Sequence, residues 1–273
     1  MKSKIFLLVG LFCFYFSFSK IVTKADEQAD SVLYNATFSV EYQEGIYYNP
    51  VMRQDYEIVD SNGTILQSGV TDDNGEIDFT YSTSNSLYIN SLEIKLIIYA
   101  SNYAGRVIVN NEVPKYTEEH TLFSDEANEV NVQILGNYIT IQESVYRAIR
   151  VSQFAVYSSF LLEDNNLDFI PRIDIQIPYS DQISCYNNNM IFFTNHDLGV
   201  FAHEYGHYVS DYLDLIKMNS ALDHSAVTIF IEVESKKEYI EIAICEGFAD
   251  FYFRGKAQEF YRKAQSLRQD PHL

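Results

Sequence analysis

Two histidines four residues apart are the part of the sequence best suited to chemistry. They stand in His203-Glu204-Tyr205-Gly206-His207. Residues four apart lie one turn apart on the same face of a helix, so His203 and His207 can both reach one zinc ion while Glu204 projects beside them. The pattern therefore predicts a metal site next to an acid that can act as a general base.

A third ligand must come from elsewhere in the chain, because two protein ligands do not hold a catalytic zinc ion. The segment Glu246-Gly247-Phe248-Ala249-Asp250 supplies two acids one helical turn apart. Glu246 would complete a set of His, His and Glu and leave the fourth position to water. Asp250 would accept a hydrogen bond from the far ring nitrogen of a ligand histidine, His203 in our interpretation, and so orient it. His224 is the main alternative for the third ligand.

A simpler interpretation of the same residues is that they bind no metal. In that case both histidines would be surface residues of an amphipathic helix, and Glu246 would be an ordinary helix acid. We favour the metal site because the motif lies in a helix-compatible segment that follows a long helix and two strands, and because the acid pair follows at the right offset.

The flanking sequence indicates the elements that must position these residues. A capping-box start at Thr140, followed by apolar residues at helical spacing, predicts a helix to about residue 162. Alternating isoleucines predict a strand at 173–177, and residues 190–194 form a second predicted strand. Asp197 is the predicted N-cap of the helix with the two histidines, and the pattern returns to helix from 237 to about 265.

Residues 26–135 have instead the pattern of short β-strands separated by turn signals. In Ser61-Asn62-Gly63 the Asn-Gly pair supplies the positive φ angles of a tight hairpin. Asp73-Asn74-Gly75 is a second turn, and we interpret it as a plain turn rather than a calcium loop because its glycine is misplaced for the EF-hand pattern. Strands at this spacing predict an antiparallel β-sandwich of about 100 residues.

Two parts of the chain resemble known families. Residues 69–76, Gly-Val-Thr-Asp-Asp-Asn-Gly-Glu, resemble the recurring turn of small carbohydrate-binding-like or transthyretin-like β-sandwich modules of secreted enzymes. Residues 140–255 resemble the gluzincin zinc metallopeptidases, the thermolysin-like group defined by His-Glu-x-x-His followed by Glu-x-x-x-Asp. The metzincins fit less well, because Ser210 and Leu213 stand where their motif continues with Gly and His.

The gluzincin resemblance implies a zincin-like catalytic domain at residues 136–273, with a helix, a small sheet with an edge strand, the active-site helix and a glutamate helix in that order. It also implies that a peptide substrate lies antiparallel against the edge strand, formed by Met190, Ile191, Phe192, Phe193 and Thr194. The alternative is that this strand is internal. Together these predictions describe an α+β protein with an N-terminal antiparallel β-sandwich followed by this domain.

The implied activity is hydrolysis of a peptide or protein substrate with one zinc ion as cofactor. Glu204 would take a proton from the zinc-activated water and pass it to the leaving amine. Relatives also use a Tyr or His, usually downstream of the glutamate helix, to stabilise the oxyanion. The candidates here are Tyr261 and His272, and the chain ends at Leu273, so we expect either a truncated C-terminus or a donor from elsewhere in the chain.

A surface binding protein is the competing hypothesis. In that protein the β-sandwich would bind the partner, and the zincin-like domain would be catalytically incomplete. The intact Glu204 favours the enzyme, whereas the short segment after Asp250 favours the binding protein.

The overall composition excludes other classes of function. The 273 residues are 47% hydrophobic and 21% charged, which is enough apolar material to form a core. The 38 acidic and 19 basic residues give a net charge of −19, and such a surface repels nucleic acids and anionic membranes. After the N-terminal segment no apolar run approaches the roughly 18 residues of a spanning helix, so we expect the mature protein not to associate with membranes.

The N-terminus has the layout of a secretory signal peptide. Two lysines precede an apolar run at residues 5–18, and small residues up to Ala25 offer a cleavage site. We therefore expect residues 1–25 to be removed and the mature protein to be secreted or extracytoplasmic; an uncleaved anchor is the alternative. Cys185 and Cys245 then remain, and they either pair in an oxidising compartment or stay isolated thiols.

Overall fold

The computed structural model describes residues 31–44, 46–84, 90–124, 126–135, 141–163, 170–177, 184–187, 189–194, 197–214 and 246–250. These residues form a mixed α/β fold that is mostly sheet, with few helices, in agreement with the α+β prediction. The predicted signal peptide, Cys245, His224, Tyr261 and His272 lie outside the described residues. No described helix is both long and apolar enough to cross a lipid bilayer.

The described elements follow the predicted order, with most strands before the first helix. The strands are β1 (Val32–Glu44), β2 (Tyr47–Pro50), β3 (Gln54–Asp60), β4 (Ile65–Val70), β5 (Glu76–Thr83), β6 (Ser91–Asn102), β7 (Gly105–Ile108), β8 (Lys115–Phe123), β9 (Ala127–Ile134), β10 (Ile173–Gln176), β11 (Cys185–Asn187) and β12 (Met190–Phe192). The helices are α1 (Ile141–Glu163) and α2 (Leu198–Tyr212). The predicted long helix is α1, and the predicted helix with the two histidines is α2.

β1 is the centre of a four-stranded sheet. It pairs antiparallel with β5 and β2 along one edge and parallel with β9 along the other, so that Phe38 lies opposite both Ile77 and Val130. The parallel pair departs from the predicted wholly antiparallel sandwich. It forms because the chain between β1 and β9 passes through the second sheet and returns in the same direction, which is the long crossover that a parallel pair needs.

The second sheet is continuous from the N-terminal strands to the strands that precede α2. Its order is β11-β12-β10-β7-β6-β3-β4, and β8 also pairs with β6. The link is β7, which pairs antiparallel with the end of β6 and parallel with β10. Gly105 allows β7 to lie close to α1, since a Cβ there would be 3.0 Å from Cβ of Ala155 and 2.9 Å from Cδ1 of Ile175. The sheet thus contains strands from both predicted domains, which meet at residue 135 in the sequence.

One hydrophobic core also contains residues from both predicted domains, before and after residue 135. Buried side chains of both sheets, α1 and α2 belong to a single contiguous cluster. Its largest fully buried members include Tyr34, Phe38, Phe79, Phe154, Phe193, Phe201 and Tyr205. Described residues on both sides of position 135 therefore share a core and a sheet, and the division of the chain into residues 26–135 and 136–273 stays a prediction.

Buried amide groups connect α1 to the sheet, and we call them the Gln153 network. Gln153 of α1 accepts a hydrogen bond from the Met52 N–H at 2.8 Å and donates to the Met52 carbonyl at 2.8 Å and to the side chain of Gln54. Gln54 donates to the Ser152 hydroxyl at 2.9 Å, and Asn102 donates to the Ser152 carbonyl at 2.8 Å. All four polar side chains are fully buried, so their hydrogen bonds hold the helix in one position on the sheet.

The two turns predicted in the N-terminal half both form. In the hairpin between β3 and β4, Gly63 has φ of +81° but Asn62 has no positive φ, so only one residue of the Asn-Gly pair adopts the predicted backbone angle. The Asp60 carboxylate accepts hydrogen bonds from two backbone amides of the turn. In the second turn, Gly75 has φ of +77° and the Asp72 carboxylate accepts two backbone amides in the same way. The Asp72 carboxylate thus accepts hydrogen bonds within its own turn, as aspartates of ordinary turns do.

Candidate metal centre

α2 presents the two histidines from a capped and tightly packed helix. Asp197 is its N-cap, as predicted, and the carboxylate accepts a hydrogen bond from a first-turn N–H at 2.8 Å. The ring of Phe201 packs against the rings of Phe154 in α1 and Phe193, with centroids 6.1 and 5.8 Å away. These contacts fix the helix against the core and thereby fix the direction of the face that carries the histidines.

The three predicted ligands meet at one point. Nε2 of His203 lies 3.0 Å from Nε2 of His207 and 3.1 Å from Oε2 of Glu246, and Nε2 of His207 lies 3.6 Å from Oε1 of Glu246. The His207 side chain is 2% exposed, whereas those of His203 and Glu246 are 17% and 27% exposed. Within the part of the chain that the structure describes, these three residues form a group able to hold a metal ion.

The spacing of these atoms suits a single four-coordinate ion. An ion that holds nitrogen and oxygen ligands at about 2.0 to 2.2 Å in a tetrahedron separates the ligand atoms by roughly 3.3 to 3.5 Å. The observed distances of 3.0, 3.1 and 3.6 Å are near that value, and the two N–O distances end on different oxygens of Glu246, Oε2 for His203 and Oε1 for His207. Both imidazoles turn Nε2 toward the carboxylate, as residues that share one metal ion would.

Asp250 lies one helical turn after Glu246 and contacts His203. Residues 246–250 are helical, and Oδ1 of Asp250 is 3.0 Å from Nδ1 of His203. With its proton on Nδ1, His203 donates to this carboxylate and turns the lone pair of Nε2 toward His207 and Glu246. The structure thus brings together the pair that the spacing predicted, and the effect of Asp250 on metal affinity stays a prediction.

Negative charge is concentrated around His203. Burial lowers the pKa of His203, but the hydrogen bond to Glu246 and the charges of Glu204, Glu246 and Asp250 outweigh burial and raise the pKa above its usual value. Three carboxylates beside two imidazoles attract a cation, and a divalent ion would offset most of this charge.

Glu204 is held beside the three ligands by a neighbouring strand. The residue is 6% exposed, and Oε2 accepts a hydrogen bond from the Tyr186 N–H of β11 at 2.8 Å. Glu204 is thus a buried carboxylate whose orientation is fixed beside the three candidate ligands. Sequence reasoning did not find Tyr186, because its contribution comes from a backbone amide.

The strand predicted as the sheet edge is internal. β12 lies between β10 on one side and β11 on the other. Phe193 and Thr194 follow the strand, and their N–H groups donate to a carbonyl of β10 at 3.0 Å and to the Ser184 hydroxyl at 3.1 Å. Among the described strands β11 is the edge nearest α2, and the prediction that residues 190–194 form that edge is wrong.

The reason for this error is the length of β11. Its three residues are too few for an alternating pattern, so the strand has no periodic signal of its own. The asparagines at 187–189 were the available signal, because such a run is typical of a tight turn between two strands. In the structure Asn187 pairs with Met190, and Asn189 has φ of +59°.

The chain shows little similarity to known proteins. No protein-family model matches the sequence, and no curated protein matches it. Among solved structures it is similar to a 9R-lipoxygenase from Cyanothece PCC8801, with 15% sequence identity and a TM-score of 0.24. The match covers 49% of this chain and 24% of the lipoxygenase, so the chain spans about a quarter of that protein's length. A likeness of this size supports no inference about fold or function.

Proposed function

We propose that the chain is a secreted zinc-dependent peptidase of the gluzincin type, which hydrolyses peptide bonds with Glu204 as general base. The observation that carries the proposal is the meeting of His203, His207 and Glu246 at one point, with Glu204 buried beside them. The His207 side chain is 2% exposed, so it does not fit the simpler interpretation in which both histidines are surface residues. Secretion is proposed from the signal-like N-terminus.

Zinc is the ion that suits this set of donors. Two imidazoles and one carboxylate, with a fourth position open, are the ligands typical of catalytic zinc, whereas calcium and magnesium prefer oxygen ligands in larger number. When bound, zinc would polarise a substrate carbonyl and lower the pKa of a water molecule. His203, His207 and Glu246 would hold the ion, and Asp250 would keep His203 in the tautomer that binds metal.

Glu204 would transfer the proton. The Tyr186 N–H limits rotation of the carboxylate, so that the carboxylate stays beside the attacking water. Glu204 would accept the proton of that water and donate it to the amine of the leaving product. Both steps need the same carboxylate in one position, which the hydrogen bond to β11 provides.

A peptide substrate would lie against β11 rather than β12. In the antiparallel pair with β12, Tyr186 lies opposite Ile191, and its N–H faces away from β12 and donates to Glu204. Among the described strands β11 is the sheet edge beside the proposed base. A peptide that adds at this edge would donate to the Tyr186 carbonyl, because the Tyr186 N–H is already used by Glu204, and would bring its scissile carbonyl to the metal centre. Residues 185–187 thereby take the place that the sequence prediction gave to residues 190–194.

Metal analysis and a cleavage assay test the proposal together. The purified chain should contain about one zinc ion per molecule. It should cleave unfolded casein, and a chelator should stop cleavage until zinc is added back. Glu204→Gln is the matched control, because it keeps the shape and the zinc but cannot take the proton. Zinc without cleavage would favour the surface binding protein, and a chain without zinc would refute the metal centre.

A further inference from the structure

β11 is fastened to α2 by the side chain of Tyr186. The strand is three residues long and, within the described residues, pairs with β12 alone. The Tyr186 hydroxyl donates a hydrogen bond to Oδ2 of Asp211 at 2.8 Å, and its ring lies near that of Tyr208, with centroids 5.9 Å apart. A strand this short with one neighbour is weakly held by its own backbone, so these contacts set its position.

The contacts of Tyr186 follow one face of α2. Glu204, Tyr208 and Asp211 are spaced by four and three residues, so they line up along two turns of the helix. Tyr186 meets all three: its N–H bonds Glu204, its ring packs near Tyr208 and its hydroxyl bonds Asp211. The hydrogen bond of the hydroxyl therefore sets the position of the strand along the axis of α2. A shift of the strand would also shift the Tyr186 N–H relative to Glu204.

The Tyr186 hydroxyl is protonated at neutral pH, as that of an ordinary tyrosine is, so it can donate to Asp211. Burial, the hydrogen bond to Asp211 and the nearby charge of Asp211 raise the pKa of Tyr186 above its usual value. Oδ1 of Asn189 lies 3.1 Å from the same hydroxyl, on the same hairpin as Tyr186. Of these two acceptors only Asp211 belongs to α2, so only Asp211 ties the strand to the helix.

We propose that Tyr186 and Asp211 are positioning residues for Glu204: their hydrogen bond holds β11 in register with α2, and the Tyr186 N–H then holds the carboxylate. The effect on turnover rests on the proposed peptidase function, whereas the effect on the strand holds without any activity. Neither side chain is assigned a part in the chemistry itself.

Hydrogen exchange tests the strand without an activity assay. In Tyr186→Phe and in Asp211→Ala the amide of residue 186 should exchange at least about tenfold faster, because β11 is no longer held in register with α2 and its acceptor Glu204. The amide of Phe193, which donates to the Gln176 carbonyl at 3.0 Å, should keep its rate. Tyr212→Phe removes a hydroxyl from an exposed ring of the same helix and should change neither rate.

Steady-state kinetics test the consequence for turnover. Tyr186→Phe and Asp211→Ala should each lower kcat about tenfold, with zinc content and KM within about twofold of the wild type. Asp211→Asn keeps an acceptor oxygen for the hydroxyl and should retain at least about half of kcat. The double variant Tyr186→Phe with Asp211→Ala should be no slower than the slower single variant, because both remove the same hydrogen bond.

An unchanged exchange rate at residue 186 in both single variants would overturn the proposal, and so would a double variant whose losses in kcat multiply. A zinc-loaded wild type that cleaves nothing would refute the proposed function, and the exchange rates would then decide on the positioning role alone. If Asp211→Ala does not fold, the exchange rate in Tyr186→Phe decides.

Discussion

Replacing Gln153 by leucine should reveal how firmly the two halves of the chain are joined. Leucine is of similar size, but it removes every hydrogen bond that Gln153 makes to Met52 and Gln54. The loss of a hydrogen bond by a buried backbone group costs about 1 to 3 kcal/mol. Here the Met52 N–H and the Met52 carbonyl each lose a hydrogen bond to Gln153. The apolar surface that leucine buries returns part of the cost, so we expect a loss of about 3 kcal/mol in the free energy of unfolding.

Urea unfolding followed by circular dichroism measures this loss. Ser158→Ala is the matched control, because Ser158 is equally buried on α1 but its hydroxyl donates to the Phe154 carbonyl of the same helix, at 2.9 Å. That change should cost less than about 1 kcal/mol. With one core across residue 135, the loss of sheet, the loss of helix and the release of zinc should coincide in a single transition that Gln153→Leu shifts as a whole.

A Gln153→Leu variant as stable as Ser158→Ala would refute this reasoning. Two separate transitions, of which the substitution shifts one, would show instead that residues 26–135 and 136–273 fold independently, as the predicted division requires.

Further outcomes follow from the metal centre and the shared sheet. Glu246→Ala should remove most of the zinc, whereas Asp250→Asn, at a side chain 57% exposed, should weaken zinc binding by about 10-fold to 100-fold; equilibrium dialysis measures both. His224→Ala should leave the zinc content unchanged, and the opposite ranking of Glu246 and His224 would place the chain outside the gluzincin pattern. Glu204→Gln should abolish casein cleavage with zinc retained, and wild-type turnover in that variant would exclude Glu204 as the base. Deletion of residues 26–135 should leave an insoluble remainder because it removes β7, the partner of β10; a soluble remainder that binds zinc would contradict the shared core.

The sequence by itself determined the local parts of the site. The spacing of His203 and His207 predicted one helix face, and Asp197 predicted where that helix begins, because both features depend on residues within one or two turns. The turns at Gly63 and Gly75 were predictable for the same reason, since their positive φ angles are a property of the residue type. The sequence also predicted Glu246 and Asp250 as site residues, but only because they are two acids one helical turn apart.

The tertiary structure decided which distant segments meet. It brings Oε2 of Glu246 within 3.1 Å of Nε2 of His203. It places β11 rather than β12 at the described sheet edge beside Glu204, and it pairs β7 with β10, which belong to different predicted domains. An alternating or apolar run looks the same whether its strand is internal or at an edge, and a strand of three residues has no pattern at all. Strand order depends on pairing between residues far apart in the chain and on the shared core, so only the folded arrangement selects among the partners that the local pattern allows.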